Sequence, residues 1–158
     1  RKNVEMTIKV AKWVDMPLNI VGPVRDPGYF CKKVRKKLNE KITYHGEAMG
    51  EIKKHLLKNA KALLYLSSWE SFGLSVIEAM VSGTPVITSN IPPFHETVEQ
   101  GVTGFICDSK NDFLQAIDQL SSIKPSACHE RVVKLFSKEN MAEGYQKLYQ
   151  QAIKNQNW

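Results

Sequence analysis

The stretch from Ala62 to Gly83, ALLYLSSWESFGLSVIEAMVSG, limits the fold of this chain more than any other. Its opening run, Ala62-Leu63-Leu64-Tyr65-Leu66, is too short for a helix and reads as a strand buried on both faces, as in a parallel sheet. Ser67 and Ser68 end it. From about Gly73 to Ser82 the pattern is helical, with Leu74, Val76, Ile77, Ala79, Met80 and Val81 nearly all the way round. A helix apolar all round is expected to be buried. Glu78 shares its narrow polar sector with Ser75 and Ser82, and a carboxylate held there needs a partner. Glu70 stands in the loop before the same helix.

A strand, a loop and a helix in that order put Glu70 at the carboxyl end of a strand, where open α/β sheets bind ligands. The N–H groups near Phe72, Gly73 and Leu74 would attract an anion, and Gly73 lets a ligand come close to the backbone. Two carboxylates beside an anion site fit a ligand that joins phosphate to hydroxyls. A nucleotide sugar has that mix.

Glu70-x7-Glu78, within WESFGLSVIEAMVSGTPVI, closely resembles the E-x7-E signature of the retaining GT-B glycosyltransferases of the family 4 type (glycosyl transferases group 1). Ile42-Thr43-Tyr44-His45-Gly46 looks like that family's V-x-F-x-G segment. Gly83-Thr84-Pro85-Val86-Ile87 resembles its G-x-P-V-I run, and Glu96-Thr97-Val98 followed by Gly101-x-x-Gly104 its E-x-V and G-x-x-G run. Phe136-Ser137 before a last helix ending in Leu148-Tyr149 is also similar. E-x7-E alone is a weak pattern, but these segments in order and at the right spacing are specific. They span almost the whole chain and correspond to the C-terminal, nucleotide-sugar-binding half of the family.

The resemblance implies an α/β fold, a Rossmann-like parallel sheet with helices on both faces. It implies transfer of a sugar from a UDP-sugar or GDP-sugar donor to an acceptor hydroxyl with retention of configuration, in polysaccharide, glycolipid or glycan biosynthesis. No metal and no other cofactor is expected. By the same resemblance Glu70 holds a donor-sugar hydroxyl, Glu78 holds the ribose hydroxyls and Lys2 neutralises the diphosphate. Phe72, Gly73 and Leu74 provide the helix start and Ser75 a phosphate contact, while His45 and Gly46 lie against the base. The acceptor, a glycan, lipid or protein, would sit on an N-terminal domain absent from this sequence, and the isolated chain is expected to be inactive. The family's first strand of this domain and its arginine before Lys2 also lie outside the sequence. Gly22-Pro23-Val24-Arg25-Asp26 departs from a glycine-rich turn, and Ile91-Pro92-Pro93 replaces glycines that approach the donor sugar. The alternatives are a GT-B-like sugar-nucleotide epimerase or phosphorylase, or a non-catalytic domain used for binding or assembly.

At 158 residues, 42% apolar and 24% charged, the chain reads as one soluble globular domain. No run approaches transmembrane length and no signal-peptide pattern opens it. Cys31, Cys107 and Cys128 are too few and too scattered for a disulfide framework or a zinc site, which favours a reducing, cytoplasmic compartment. The net charge of +6 is densest in Lys32-Lys33-Val34-Arg35-Lys36-Lys37. Such a run is either a solvated helix face or a contact for an anionic membrane at its cytoplasmic side. No nucleic-acid signature accompanies it.

Asn3 is expected to cap a first helix carrying Val4, Ile8, Ala11 and Val14. Strands are expected at Leu18–Gly22, Lys41–His45, Pro85–Ser89 and Phe105–Cys107. The basic run falls on a helix from about Tyr29 to Asn39, and Met49–Ala60 on a helix with Ile52, Leu56 and Leu57 inward. Glu96 falls near the start of a short helix. Asp108 or Ser109 caps a helix with Phe113, Ile117 and Leu120 inward, Pro125 begins another, and Lys138 to about Ile153 forms the last.

Overall fold

The computed structural model describes residues 2–155, in which strands and helices alternate along the chain. The strands are β1 (Leu18–Ile20), β2 (Ile42–Tyr44), β3 (Leu63–Tyr65), β4 (Val86–Ser89) and β5 (Gly104–Cys107). Among the described residues the pairings β1/β2, β3/β4 and β4/β5 are all parallel, so each of these pairs is joined by a crossover that carries helical turns. β1 pairs with β2, Leu18 opposite Ile42, and β3, β4 and β5 form a second ladder with Leu63 opposite Val86 and Val86 opposite Gly104. The fold is α/β and Rossmann-like.

The helix α1 (Val4–Trp13) ties the two ladders together. Its Ile8 packs with Val34 and Ile42 beside β1 and β2, while Val10 joins Leu66, Val76 and Ile87 in the larger core. Asn3 stands at the start of α1 but does not cap it. Its backbone is left-handed at φ 44° and its side chain bonds no helix N–H.

The basic segment starts earlier than Tyr29 and is irregular. A short turn, α2 (Pro27–Tyr29), has Asp26 accepting the Tyr29 N–H at 2.8 Å, and it continues as a π turn, Phe30–Val34, and a 3-10 turn, Arg35–Lys37. Only Val34 is buried. Lys33 and Lys37 pair with Glu5 at 3.4 and 3.0 Å, and Lys32, Arg35 and Lys36 face solvent.

The helix α3 (Gly50–Lys58) rests on the core through its last turn, where Leu57 is half-buried and its carbonyl accepts the Thr84 hydroxyl at 2.6 Å. Its first turn overhangs, so Ile52 is 67% exposed rather than inward. The helix α4 (Leu74–Val81) buries Val76, Ile77, Ala79 and Met80 but leaves Leu74 68% exposed, so it is not buried all round. The Leu63–Tyr65 strand is likewise only half-buried, whereas β4 is covered on both faces at Val86, Ile87 and Thr88. Gly104 allows β5 to lie close to β4, since a Cβ there would stand 2.2 Å from the Val86 carbonyl oxygen.

The helices α5 (Pro92–Thr97), α6 (Lys110–Gln119) and α7 (Pro125–Phe136) complete the cover of the larger ladder. Ser109, not Asp108, caps α6, and Asp112 returns the bond to close a capping box. Phe113, Ile117 and Leu120 are inward as the periodicity predicts. The helix α8 (Lys138–Asn155) leaves Met141, Tyr145, Leu148, Tyr149 and Ile153 exposed along its length. No described helix is long and apolar enough to cross a membrane.

Candidate functional site

The chain leaves β3, runs through the loop carrying Glu70 and enters α4 at Gly73. Lys2, Glu70, Phe72, Gly73, Leu74 and Ser75 line one cavity of about 390 Å³, together with Tyr65 and Ser71. The site lies at the carboxyl end of a strand and the amino end of a helix, where the first N–H groups have no acceptor within the helix. Gly73 has φ 90°, and a Cβ there would stand 2.9 Å from the ring of Phe94, so only glycine fits without a shift. Phe94 is fully buried and meets Tyr65 edge-on, with ring centroids 5.9 Å apart.

The charges of the cavity converge on Glu70. The Lys2 ammonium donates to Glu70 Oε2 and to the Tyr65 hydroxyl, and it lies 4.4 Å from the centre of the Tyr65 ring. The Tyr65 hydroxyl donates to Glu70 Oε2 at 2.7 Å, and the Ser71 N–H reaches Oε1 at 3.3 Å. Burial pushes the Glu70 carboxyl up, but the bonds from Lys2, Tyr65 and Ser71 outweigh it and hold the group below its ordinary range. Burial likewise pulls Lys2 down, and its bonds to Glu70 and Tyr65 more than offset that, so it stays protonated. Burial raises the Tyr65 phenol, which therefore remains a donor at neutral pH. The cavity thus presents a cation, an ionised carboxylate and a helix start together.

Phe72 and Leu74 contribute differently from the glycine between them. The Phe72 ring turns to Phe136, edge-on at 5.6 Å, and Leu74 points to solvent. Glu78 lies one turn further along α4 and is not part of this cavity lining. Its side chain is 42% exposed rather than buried, and it pairs with Lys53 of α3 at 2.5 Å. His45 and Gly46 follow β2 and also lie outside the lining. The His45 ring bonds Asn19 Oδ1 at 2.8 Å and Thr43 Oγ1 at 3.0 Å, and Gly46, at φ 72°, accepts the Gly22 N–H at 2.8 Å.

Two residues of this region, Tyr65 and Lys53, escape the sequence reading. Tyr65 sits in an apolar run, and only its spacing from Glu70 signals the contact. Lys53 is one lysine among many on a helix, and no local signal marks it. Among the described residues no His, Cys, Asp and Glu side chains are grouped in threes as metal ligands. Cys107 and Cys128 are buried, which pushes their thiols up to about 12 and about 11.

An α/β domain with a cation and a helix start at the carboxyl end of a parallel strand has the layout of the class of folds that bind phosphate-bearing ligands. Within that class the chain belongs to the glycosyl transferases group 1 family, whose model matches residues 1–154. It is similar to the O-antigen chain mannosyltransferase RfbU of Salmonella typhimurium, 38% identical over 87 residues, 55% of this chain and 25% of that protein. Among solved structures it resembles AviGT4, a glycosyltransferase involved in avilamycin A biosynthesis, with a TM-score of 0.82 and 25% identity over 98% of this chain and 49% of the other. It shares its fold with Anabaena Alr3699/HepE, solved in complex with UDP-glucose, at a TM-score of 0.72 and 20% identity over 92% of this chain and 45% of the other. The chain spans less than half the length of the relatives it matches.

Proposed function

We propose that this chain is the donor-binding domain of a retaining glycosyltransferase that moves a sugar from a UDP-sugar or GDP-sugar to an acceptor hydroxyl. The observation that carries the reading is the meeting of Lys2 and Glu70 at the start of α4. Family membership supports it, and so does the UDP-glucose bound by a protein of the same fold. As the bond to the sugar breaks, negative charge grows on the leaving diphosphate. The Lys2 ammonium and the first N–H groups of α4 stabilise that charge. Glu70, ionised at neutral pH, accepts from sugar hydroxyls and orients the ring. Donor binding therefore exchanges partners: Lys2 leaves Glu70 for the diphosphate. Glu78 gives up part of its bond to Lys53 to take the ribose hydroxyls, and the turn at His45 and Gly46 lies against the base.

On this reading the diphosphate needs no metal, and the acceptor sits on a domain that precedes α1 in the intact protein. The same preceding segment supplies a strand between β1 and β3, the place that a doubly wound order leaves for it. The exposed basic face at Lys32, Arg35 and Lys36 suits contact with the cytoplasmic surface of an anionic membrane.

Calorimetric titration of the intact protein with UDP, GDP, UDP-glucose and GDP-mannose tests the reading. One nucleotide is expected to bind selectively, and Lys2→Ala to weaken it about tenfold or more, as for a lost charge-assisted contact. Absence of binding by all four at millimolar concentration would overturn the proposal.

A further inference from the structure

We propose that Tyr65 is a positioning residue of the donor site, whose hydroxyl holds the Glu70 carboxylate once Lys2 has turned to the diphosphate. The inference rests on the donor-site reading above and deepens it. Glu70 lies in the loop between β3 and α4, where no regular ladder fixes its backbone. Its carboxylate is fixed by its partners instead. Oε2 takes both Lys2 and Tyr65, and Oε1 has the longer 3.3 Å contact from the Ser71 N–H.

Of these partners, Lys2 is the one that can leave. It precedes α1, and its side chain is 57% exposed. A diphosphate offers it more negative charge than a single carboxylate. Its departure would free Glu70 to swing, which would cost the site its aim at a sugar hydroxyl.

Tyr65 cannot leave in the same way. It is the last residue of β3, paired in register with Thr88 of β4, and its ring sits against the fully buried Phe94. Its hydroxyl reaches Oε2 at 2.7 Å without help from Lys2. With Oε2 so held, Oε1 is left directed for a hydroxyl of the sugar. A phenylalanine here would fill the same space, so the hydroxyl alone makes the difference.

The test compares Tyr65→Phe, Glu70→Ala and the double variant in the full-length protein. Calorimetry measures affinity for UDP and GDP and for UDP-glucose and GDP-mannose, and the quantity of interest is the gain that the sugar adds over its bare nucleotide. Tyr65→Phe is expected to cut that gain roughly fivefold, the scale of one hydrogen bond to a charged group. Its effect on the bare nucleotide is expected to be much smaller. Glu70→Ala is expected to remove the gain altogether, and the double variant to lose nothing more, because Tyr65 acts only through Glu70. A role in packing alone would weaken nucleotide and nucleotide sugar alike and would overturn the proposal. If Tyr65→Phe keeps the full gain while Glu70→Ala loses it, Tyr65 is not a positioning residue and the donor site stands. If Glu70→Ala also keeps the gain, the assignment of Glu70 falls and that of Tyr65 with it.

Discussion

Glu70 shows how a few contacts set the state of one residue. Burial alone would favour the neutral acid, yet the bonds from Lys2 and Tyr65 keep it ionised. Its folded pKa therefore lies below the unfolded value near 4.5, and its contribution to stability is present above that value and lost as pH falls through the folded one. Replacing Glu70 with Gln should lower the melting temperature at pH 7, and the difference from the parent should shrink as the pH is taken down from about 5. The effect is no larger than about 1 kcal/mol, because Lys2 is well exposed and water screens the pair. Thermal melts of both proteins across that range decide it, and a difference independent of pH would contradict the ion pair. That Glu70 and Gly73 meet in one cavity is legible in the sequence, because a strand, a loop and a helix in that order bring both to the start of α4. The partners of the two glutamates are not. Lys53 reaches Glu78 from another helix, and Tyr65 looks like apolar filler until the fold turns its hydroxyl onto Glu70.

Elements were legible wherever one local pattern decides them. The alternation of short apolar runs with helical periods yields the β–α steps and narrows the start of α6 to Asp108 or Ser109, between which the capping box of Ser109 with Asp112 decides. Replacing Ser109 with Ala should cost about 1 kcal/mol, a fall of roughly 2–4 °C in melting temperature for a domain of this size. A melt within 1 °C of the parent would mean that water replaces the cap at no cost. Where an element depends on what lies beside it, the pattern misleads. The apolar wheel of α4 has no way to show that its first turn lies at a cavity mouth, where Leu74 finds solvent. Ile52 shares a helical face with Leu56, but α3 reaches the core only at its far end. Asn3 has the residue type of a cap, but its left-handed backbone turns the side chain away from the helix N–H groups.

At the scale of the molecule, the strands divide into β1–β2 and β3–β4–β5, while a single helix packs over both. With the strand proposed above counted as the first, the doubly wound order 3-2-1-4-5-6 makes β1 and β2 its second and third strands and β3 to β5 its last three. The first place falls between β1 and β3. A parallel strand in that place, entering α1, would make the step into β1 a right-handed crossover. On the reading proposed above, the segment before α1 fills it in the intact protein and also brings the acceptor domain. The backbone identifies the groups this strand would meet. The Leu18 N–H donates to the Lys41 carbonyl at 2.8 Å and the Leu63 N–H to the Pro85 carbonyl at 2.9 Å, so both face the ladders already formed. By the alternation of a strand, the N–H groups of Asn19 and Leu64 face the place between. In the intact protein these two amides should resist hydrogen exchange as strongly as those of Leu18 and Leu63, because a central strand opens only with much of the domain. Fast exchange at Asn19 and Leu64 beside slow exchange at their neighbours would leave the place empty and sink this account of how the donor domain is completed.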